Sequence, residues 1–453
     1  MTLSDEVTRL NEERERAPCL GGGDEGEQCG DTMWGAPRRL ALDALLAGWG
    51  LGTWLGVNGL YVQLPLLVER LPEGWALPAS MALAVQLANV GLLLYALLRR
   101  LLPRVSDSPY IYALLAVGTL ALVINAFVYT HTTHMFGADR SLAFLVLTFC
   151  AALVGCTSSV LFYPYLRHFR DVYLATYLVG EGLSGFVPSL LALAQGVGGD
   201  PECVVGEDGV LWAVQPPPRF GSGVFLLLLG ALSATSLASF AAVDRSHAFA
   251  SERVAPAAAA KDEEATAPRA QLLGGRWVAV LALMVALNAL ANGVLPSVQS
   301  YSCMPYGAQA YHLAAALGAM ANPAACLAGV WLRPASPRAL AALLLALLPS
   351  LGYILATALL SPAPPLRDQT VGVIVIVLCW VWTVGAVSYA RMWVYGWARS
   401  GGARGMRACG VATQLGSAAG SLLLFALVNY TGLFTQPDQC PALTTNFTKQ
   451  NAM

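Results

Sequence analysis

A lone carboxyl sits in an apolar stretch at Glu181, in LVGEGLSGFVP, flanked by Gly180 and Gly182. Ionisable groups at membrane depth are costly, so such a residue reads first as a solute contact or a proton carrier. The structural alternative is a hydrogen-bonded carboxyl that holds helices together. His312, in AYHLA, is the second proton-carrying candidate, since an imidazole titrates near neutral pH. Its structural alternative is a hydrated helix end. Trp54, Asn58 and Tyr61 recur at i, i+4 and i+7, which puts an indole, an amide and a phenol on one helical face. Asn288, Asn292 and Gln299 share a second face, followed by Tyr301. Amides both donate and accept hydrogen bonds, and aromatic rings offer stacking surfaces. With Gln414, these residues suit a neutral, planar, polar solute better than an ion or a lipid.

The two amide stretches share a local grammar. Asn58-Gly59 is followed by Gln63 and Pro65, and Asn292-Gly293 by Pro296 and Gln299. Each stretch lies in the first apolar run of its half of the chain. Polar, Gly/Pro-interrupted segments at matching places in two halves point to a carrier's binding site. The bland reading is chance recurrence of a common dipeptide. Gln86, Asn89, Asn125 and Asn322 add amides that either glue helices together or widen the site. Arg391 is expected to snorkel to the cytosolic face.

These side chains need helices to hold them. The chain is 56% hydrophobic and 12% charged, against about 25% charged in an average globular chain. Its repeated apolar runs identify an all-α polytopic membrane protein. Eleven spans are predicted: 41–63, 78–98, 110–130, 141–165, 173–197, 220–243, 276–299, 307–332, 338–360, 371–395 and 407–432. An Ala-, Pro- and charge-rich linker separates six from five. The predicted organisation is a cytosolic disordered segment (1–39), an N-terminal bundle (40–243), a cytosolic disordered loop (244–275), a C-terminal bundle (276–434) and an extracellular tail (435–453). The first segment lacks the apolar core of a cleavable leader, so the first span is expected to direct insertion.

Charge placement sets the orientation. With the N-terminus inside, the outer segments hold only Arg70, Arg140, Arg219, Arg367 and Lys449 of the 26 basic residues. The C-terminus then lies outside, where Asn446 heads a glycosylation sequon. Cys203, Cys303 and Cys440 also fall outside, with any of three pairings open. A net charge of −1 argues against a nucleic-acid partner. Neither a Walker loop nor an HExxH or GxSxG motif occurs, so neither an ATP-driven pump nor an enzyme is expected. No cofactor or metal is expected, and the protein is read as a monomer in the lipid bilayer.

Several long stretches carry a family resemblance: NGLYVQLPLLVERLPEGWALP (58–78), SLAFLVLTF (141–149), CTSSVLFYPYL (156–166), VGEGLSG (179–185), LALAQG (191–196), NGVLPSVQSYSC (292–303), AYHLAA (310–315) and QLGSAAGSLL (414–423). The chain resembles the eukaryotic riboflavin transporters, solute carrier family 52. The resemblance implies a plasma-membrane riboflavin carrier working by alternating access. It also implies a six-plus-five arrangement similar to equilibrative nucleoside transporters and the major facilitator type. Two departures stand out. Gln63 occupies a position where the family usually has an acid, and Ser361-Pro362-Ala363-Pro364 replaces a loop that often has a cysteine. A carrier of another planar heteroaromatic, such as a nucleoside, is the first rival, and a receptor-like protein without transport the second.

Overall fold

The computed structural model describes residues 39–437, except 136, 200–201, 206–210, 215, 254–274, 332–336 and 400–401. The chain from Arg39 onward forms one compact unit. It is mostly helical. Helix α1 (Leu40–Leu51) meets α2 (Leu55–Val62) at a bend of 53°. The short α3 (Leu64–Leu67) leads to α4 (Leu77–Leu87) and α5 (Val90–Leu101), which lie within one span, Gly74–Leu101. Then follow α6 (Asp107–Val128), α7 (Leu142–Leu166), α8 (Asp171–Gln195) and α9 (Ser222–Arg245). The second half holds α10 (Gly275–Ala289), a π-helical turn (Leu290–Val294), α11 (Leu295–Cys303), α12 (Ala308–Trp331), α13 (Pro337–Leu359), α14 (Thr370–Arg399) and α15 (Gly402–Tyr430).

Among the described residues, nine helices are long and apolar enough to cross a membrane, or ten if the bent α1–α2 pair is one span. Helix α12 is a further 24-residue helix, and its sequence over 313–330 is apolar apart from Asn322. Two loops contain antiparallel hairpins. Thr133–Met135 pairs with Ala138–Arg140, and Glu202–Val205 with Leu211–Val214. The expected disordered loop at 244–275 begins with folded chain. His247–Glu252 forms a 3-10 helix, and Glu252 meets Arg170 at 3.2 Å and Arg39 at 3.5 Å.

Both first helices are irregular for a traceable reason. Pro296 has no N–H, so the Asn292 carbonyl loses its usual partner four residues on. Ser421 of α15 donates to that carbonyl at 2.9 Å. At the α1–α2 break, Ser236 of α9 donates to the Trp49 carbonyl at 2.7 Å. Freed backbone groups at membrane depth must be satisfied by neighbours, and serines do so here. Helices gain little from hydrophobicity against lipid, so close backbone approach matters more. A Cβ on Gly180 of α8 would lie 2.1 Å from the Ala47 carbonyl of α1. One on Gly416 of α15 would lie 2.2 Å from the Val285 carbonyl of α10. Each half thus seats its first helix on a glycine of a later one.

The buried core differs between the two ends of the helices. At one end a single cluster joins both halves, with Leu60, Leu67, Trp75 and Leu77 packed together with Val298, Tyr301, Tyr306 and Trp380. At the other end the cores are separate. Leu42, Trp49, Phe162, Tyr173 and Phe240 belong to the first half, and Met284, Leu347, Val387, Trp393 and Cys409 to the second. These are the shared end and the split end below.

Candidate functional site

Asn58 of α2 donates through Nδ2 to Ser184 Oγ of α8 at 3.4 Å. Asn292, in the π turn, donates to Ser417 Oγ of α15 at 2.9 Å. The two stretches matched in sequence are therefore matched in structure. Each asparagine belongs to the interrupted first helix of its half and pairs with a serine on the helix packed against it. Both asparagines are only partly buried. Neither Oδ1 accepts a hydrogen bond among the described residues, which leaves an acceptor for a solute. An Asn58 neighbour, Gly185, also lies near the Ala319 carbonyl of α12, so this site borders the second half.

Toward the split end lies a charged layer. Glu181 of α8 accepts a hydrogen bond from the Tyr163 hydroxyl at 3.0 Å. Tyr177 stands edge-on to Tyr163 at 6.0 Å and shares a 3.1 Å hydrogen bond with Thr53. Across from them, Cys326 of α12 is within electrostatic reach of both Glu181 and Arg391 of α14. Arg391 Nε is buried with no hydrogen-bond partner. The Arg391 side chain as a whole is partly buried.

The other predicted residues divide. Trp54 caps α2 just after the break at 52–54, its carbonyl accepts the Asn58 N–H at 2.9 Å, and its side chain hydrogen-bonds Glu181 of α8, the helix that Asn58 also meets. Its ring lies against Gly155 of α7, where a Cβ would come within 2.6 Å. Tyr61 packs against the shared-end core. Tyr301 is buried there too, edge-on to Trp75 at 5.9 Å and 5.3 Å from Phe434, not in the separated region. Asn288 is fully buried and donates to the Met284 carbonyl at 2.8 Å, so it serves its own helix. Gln299 is partly buried and Gln414 exposed. His312 is 6% exposed with Nε2 unpartnered, a core position rather than a hydrated helix end.

One disulfide candidate is corrected. Cys203 is disulfide-bonded, whereas Cys303 is a free, fully buried thiol at the end of α11. Cys440 and the sequon at Asn446 lie outside the described residues. Gln63 donates to Gln195, which donates to the Phe220 carbonyl at 2.9 Å. Among the described residues no group of three metal-ligating side chains occurs. A separate cavity of about 380 Å³ at the split end is lined by Arg99, Asp107, Tyr165, His168, Asp244 and Arg253. There Arg99 already pairs with Asp107, and Asp244 accepts from Tyr165, which leaves little for a solute.

Sequence reasoning missed Arg391 as a site residue, along with Ser184 and Ser417. A lone arginine eight residues inside a helix end was the available signal.

The model of solute carrier family 52, riboflavin transporter, matches residues 38–271 and 250–436. Riboflavin transporter member 3-A of Danio rerio is 37% identical over 88% of this chain and 98% of its own length. The Homo sapiens member 3 is 37% identical, covering 87% and 97%, and member 2 is 36% identical, covering 89% and 98%. Among solved structures, a D-xylose–proton symporter superposes with a TM-score of 0.54 at 12% identity, over 86% of this chain and 89% of its own. A bacterial homologue of the human lysosomal transporter Spinster, inward-facing and occupied, gives 0.51 at 14% identity, over 86% and 80%. These likenesses show that the chain shares the helical fold of those two proteins.

Proposed function

The chain belongs to solute carrier family 52, the riboflavin transporters, and from that membership we propose how it carries its cargo. It transports riboflavin and is not an enzyme. Two helical bundles, six spans and five, rock about a site bordered by Asn58 and Asn292. The bent α1–α2 pair and α12 complete eleven spans alongside the nine apolar helices. The observation that carries alternating access is the asymmetry of the core. One cluster seals both halves together at the shared end, while the split end has two separate cores.

The basic residues give this asymmetry a direction. Among the described residues, Arg99, Arg100, Arg104, Arg167, Arg170, Arg245 and Arg253 lie in segments flanking the split end, which supports reading that end as cytosolic. The conformation is then inward-facing, with the C-terminus extracellular and the protein working as a monomer in the plasma membrane. Amides with free acceptors and flanking tyrosines support a planar, neutral cargo, and family membership favours riboflavin over a nucleoside.

Uptake of labelled riboflavin into cells making this chain tests the reading. Unlabelled flavins should compete and nucleosides should not. An antibody to a C-terminal tag should bind intact cells, and one to an N-terminal tag should not. Nucleoside competition or reversed labelling overturns the corresponding part.

A further inference from the structure

Arg391 presents an unsolved problem of hydrogen bonding. A guanidinium has five N–H donors, no acceptor, and keeps its charge in proteins. Among the described residues it forms no ion pair and no hydrogen bond, and its Nε is sealed from solvent. Its electrostatic neighbours are the Tyr395 phenol and the Cys326 thiol, neither of them a carboxylate. A partly buried cation with a sealed Nε favours an acceptor that the protein does not supply.

Glu181 presents the complementary case. Tyr163 donates to Oε2 and the Trp54 indole is a second hydrogen-bond partner, two donors on a carboxylate that can accept about four. The two residues come from opposite halves. Arg391 lies eight residues before the end of α14 at Arg399, about 12 Å along the axis. Glu181 lies ten residues after the start of α8 at Asp171, about 15 Å along the axis. They occupy nearly one depth, and Cys326 is within electrostatic reach of both.

Resting on the riboflavin reading, we propose that Arg391 and Glu181 together bind the pyrimidinedione edge of the isoalloxazine ring. That edge presents carbonyl, N–H and carbonyl in sequence. The guanidinium fork donates in parallel to the ring N1 and the adjacent carbonyl, a geometry that planar donors favour. The carboxylate accepts from the imide N3–H. Neither residue alone reads the edge, so flavin binding draws the two halves toward each other. The ribityl hydroxyls then extend toward Asn58 and Asn292, whose Oδ1 atoms are free to accept.

The test measures flavin affinity by fluorescence quenching on the purified full-length protein, with thermal unfolding checked for each variant. Arg391→Met should weaken riboflavin and lumiflavin binding equally, by about tenfold or more, because both share the ring edge. Arg391→Lys should restore only part of this, lacking the fork. N3-methylriboflavin should bind the parent about tenfold more weakly than riboflavin, and that penalty should vanish in Glu181→Ala. A riboflavin affinity unchanged in Arg391→Met, with transport slowed, would make the pair a gate and overturn the proposal. So would a methylation penalty that survives in Glu181→Ala. A parent protein that binds no flavin overturns the cargo assignment as well, so the two failures are told apart.

Discussion

Ser300 of α11 donates its hydroxyl to the Trp75 carbonyl at 2.6 Å, a fully buried hydrogen bond between the two halves at the shared end. Beside it, Leu66, Val197 and Ala308 form a small buried cluster drawn from both halves. This is the seal that must break for the carrier to face outward. Removing one such bond by Ser300→Ala should cost the closed end about 1 kcal/mol, roughly a fivefold shift toward outward opening. Crosslinking Leu66→Cys with Ala308→Cys should abolish uptake, and reduction should restore it. Full uptake in the crosslinked protein would show that this end does not open.

The matched asparagines carry a second prediction. Asn58→Ala and Asn292→Ala should each weaken riboflavin binding by about 1–3 kcal/mol, the range for losing a buried hydrogen-bond partner. Each change also strips its serine of a donor, so Ser184→Ala and Ser417→Ala serve as controls with smaller losses. Calorimetric titration of purified variants reads the difference. Normal affinity in both asparagine variants would remove the symmetric site.

Gln63 and Gln195 make a neutral amide chain at the shared end, both of them essentially buried. Gln63→Glu installs a group that can ionise there. The neutral acid matches the amide in shape, so the variant should resemble the parent at acidic pH. As pH rises and the carboxyl ionises, a buried charge appears and stability should fall. Thermal melts of parent and variant across pH 4 to 9 check this. Parallel profiles would mean that water reaches the site.

Cys203 is bonded and Cys303 is not. Of the three cysteines expected outside, Cys440 is then the expected partner of Cys203. Peptide mapping without reduction, on protein from cells, should recover the two in one linked species. A Cys203 peptide joined to any other cysteine would contradict the assigned topology.

How much of this was readable from the chain varied by physical cause. Span positions were legible because about 20 apolar residues are needed to cross a bilayer, and the helices follow the predicted ranges closely. The interrupted first helices were legible through Asn-Gly and proline. Face assignments were less so. The Trp49–Thr53 turn interrupts the first helix unforeseen, although it lies before Trp54, whose carbonyl still accepts the Asn58 N–H. Cys303 was read as a disulfide candidate because the predicted span stops at 299, yet α11 continues to it and buries it as a free thiol. Arg391 illustrates a deeper limit. Hydropathy reports depth along a helix but not rotation about it, and rotation decides whether a cation meets lipid headgroups or an internal space.

The free thiols have a practical consequence. Cys303 is fully buried in the sealed end, while Cys326 is exposed on α12 beside the charged layer. The native chain therefore contains a chemical clock for each conformation. A membrane-impermeant maleimide added outside can reach Cys303 only during outward excursions, so its rate of modification counts them. The same reagent on inside-out vesicles counts inward ones at Cys326. The ratio of the two rates, with and without flavin, would weigh the conformations without introducing a foreign label.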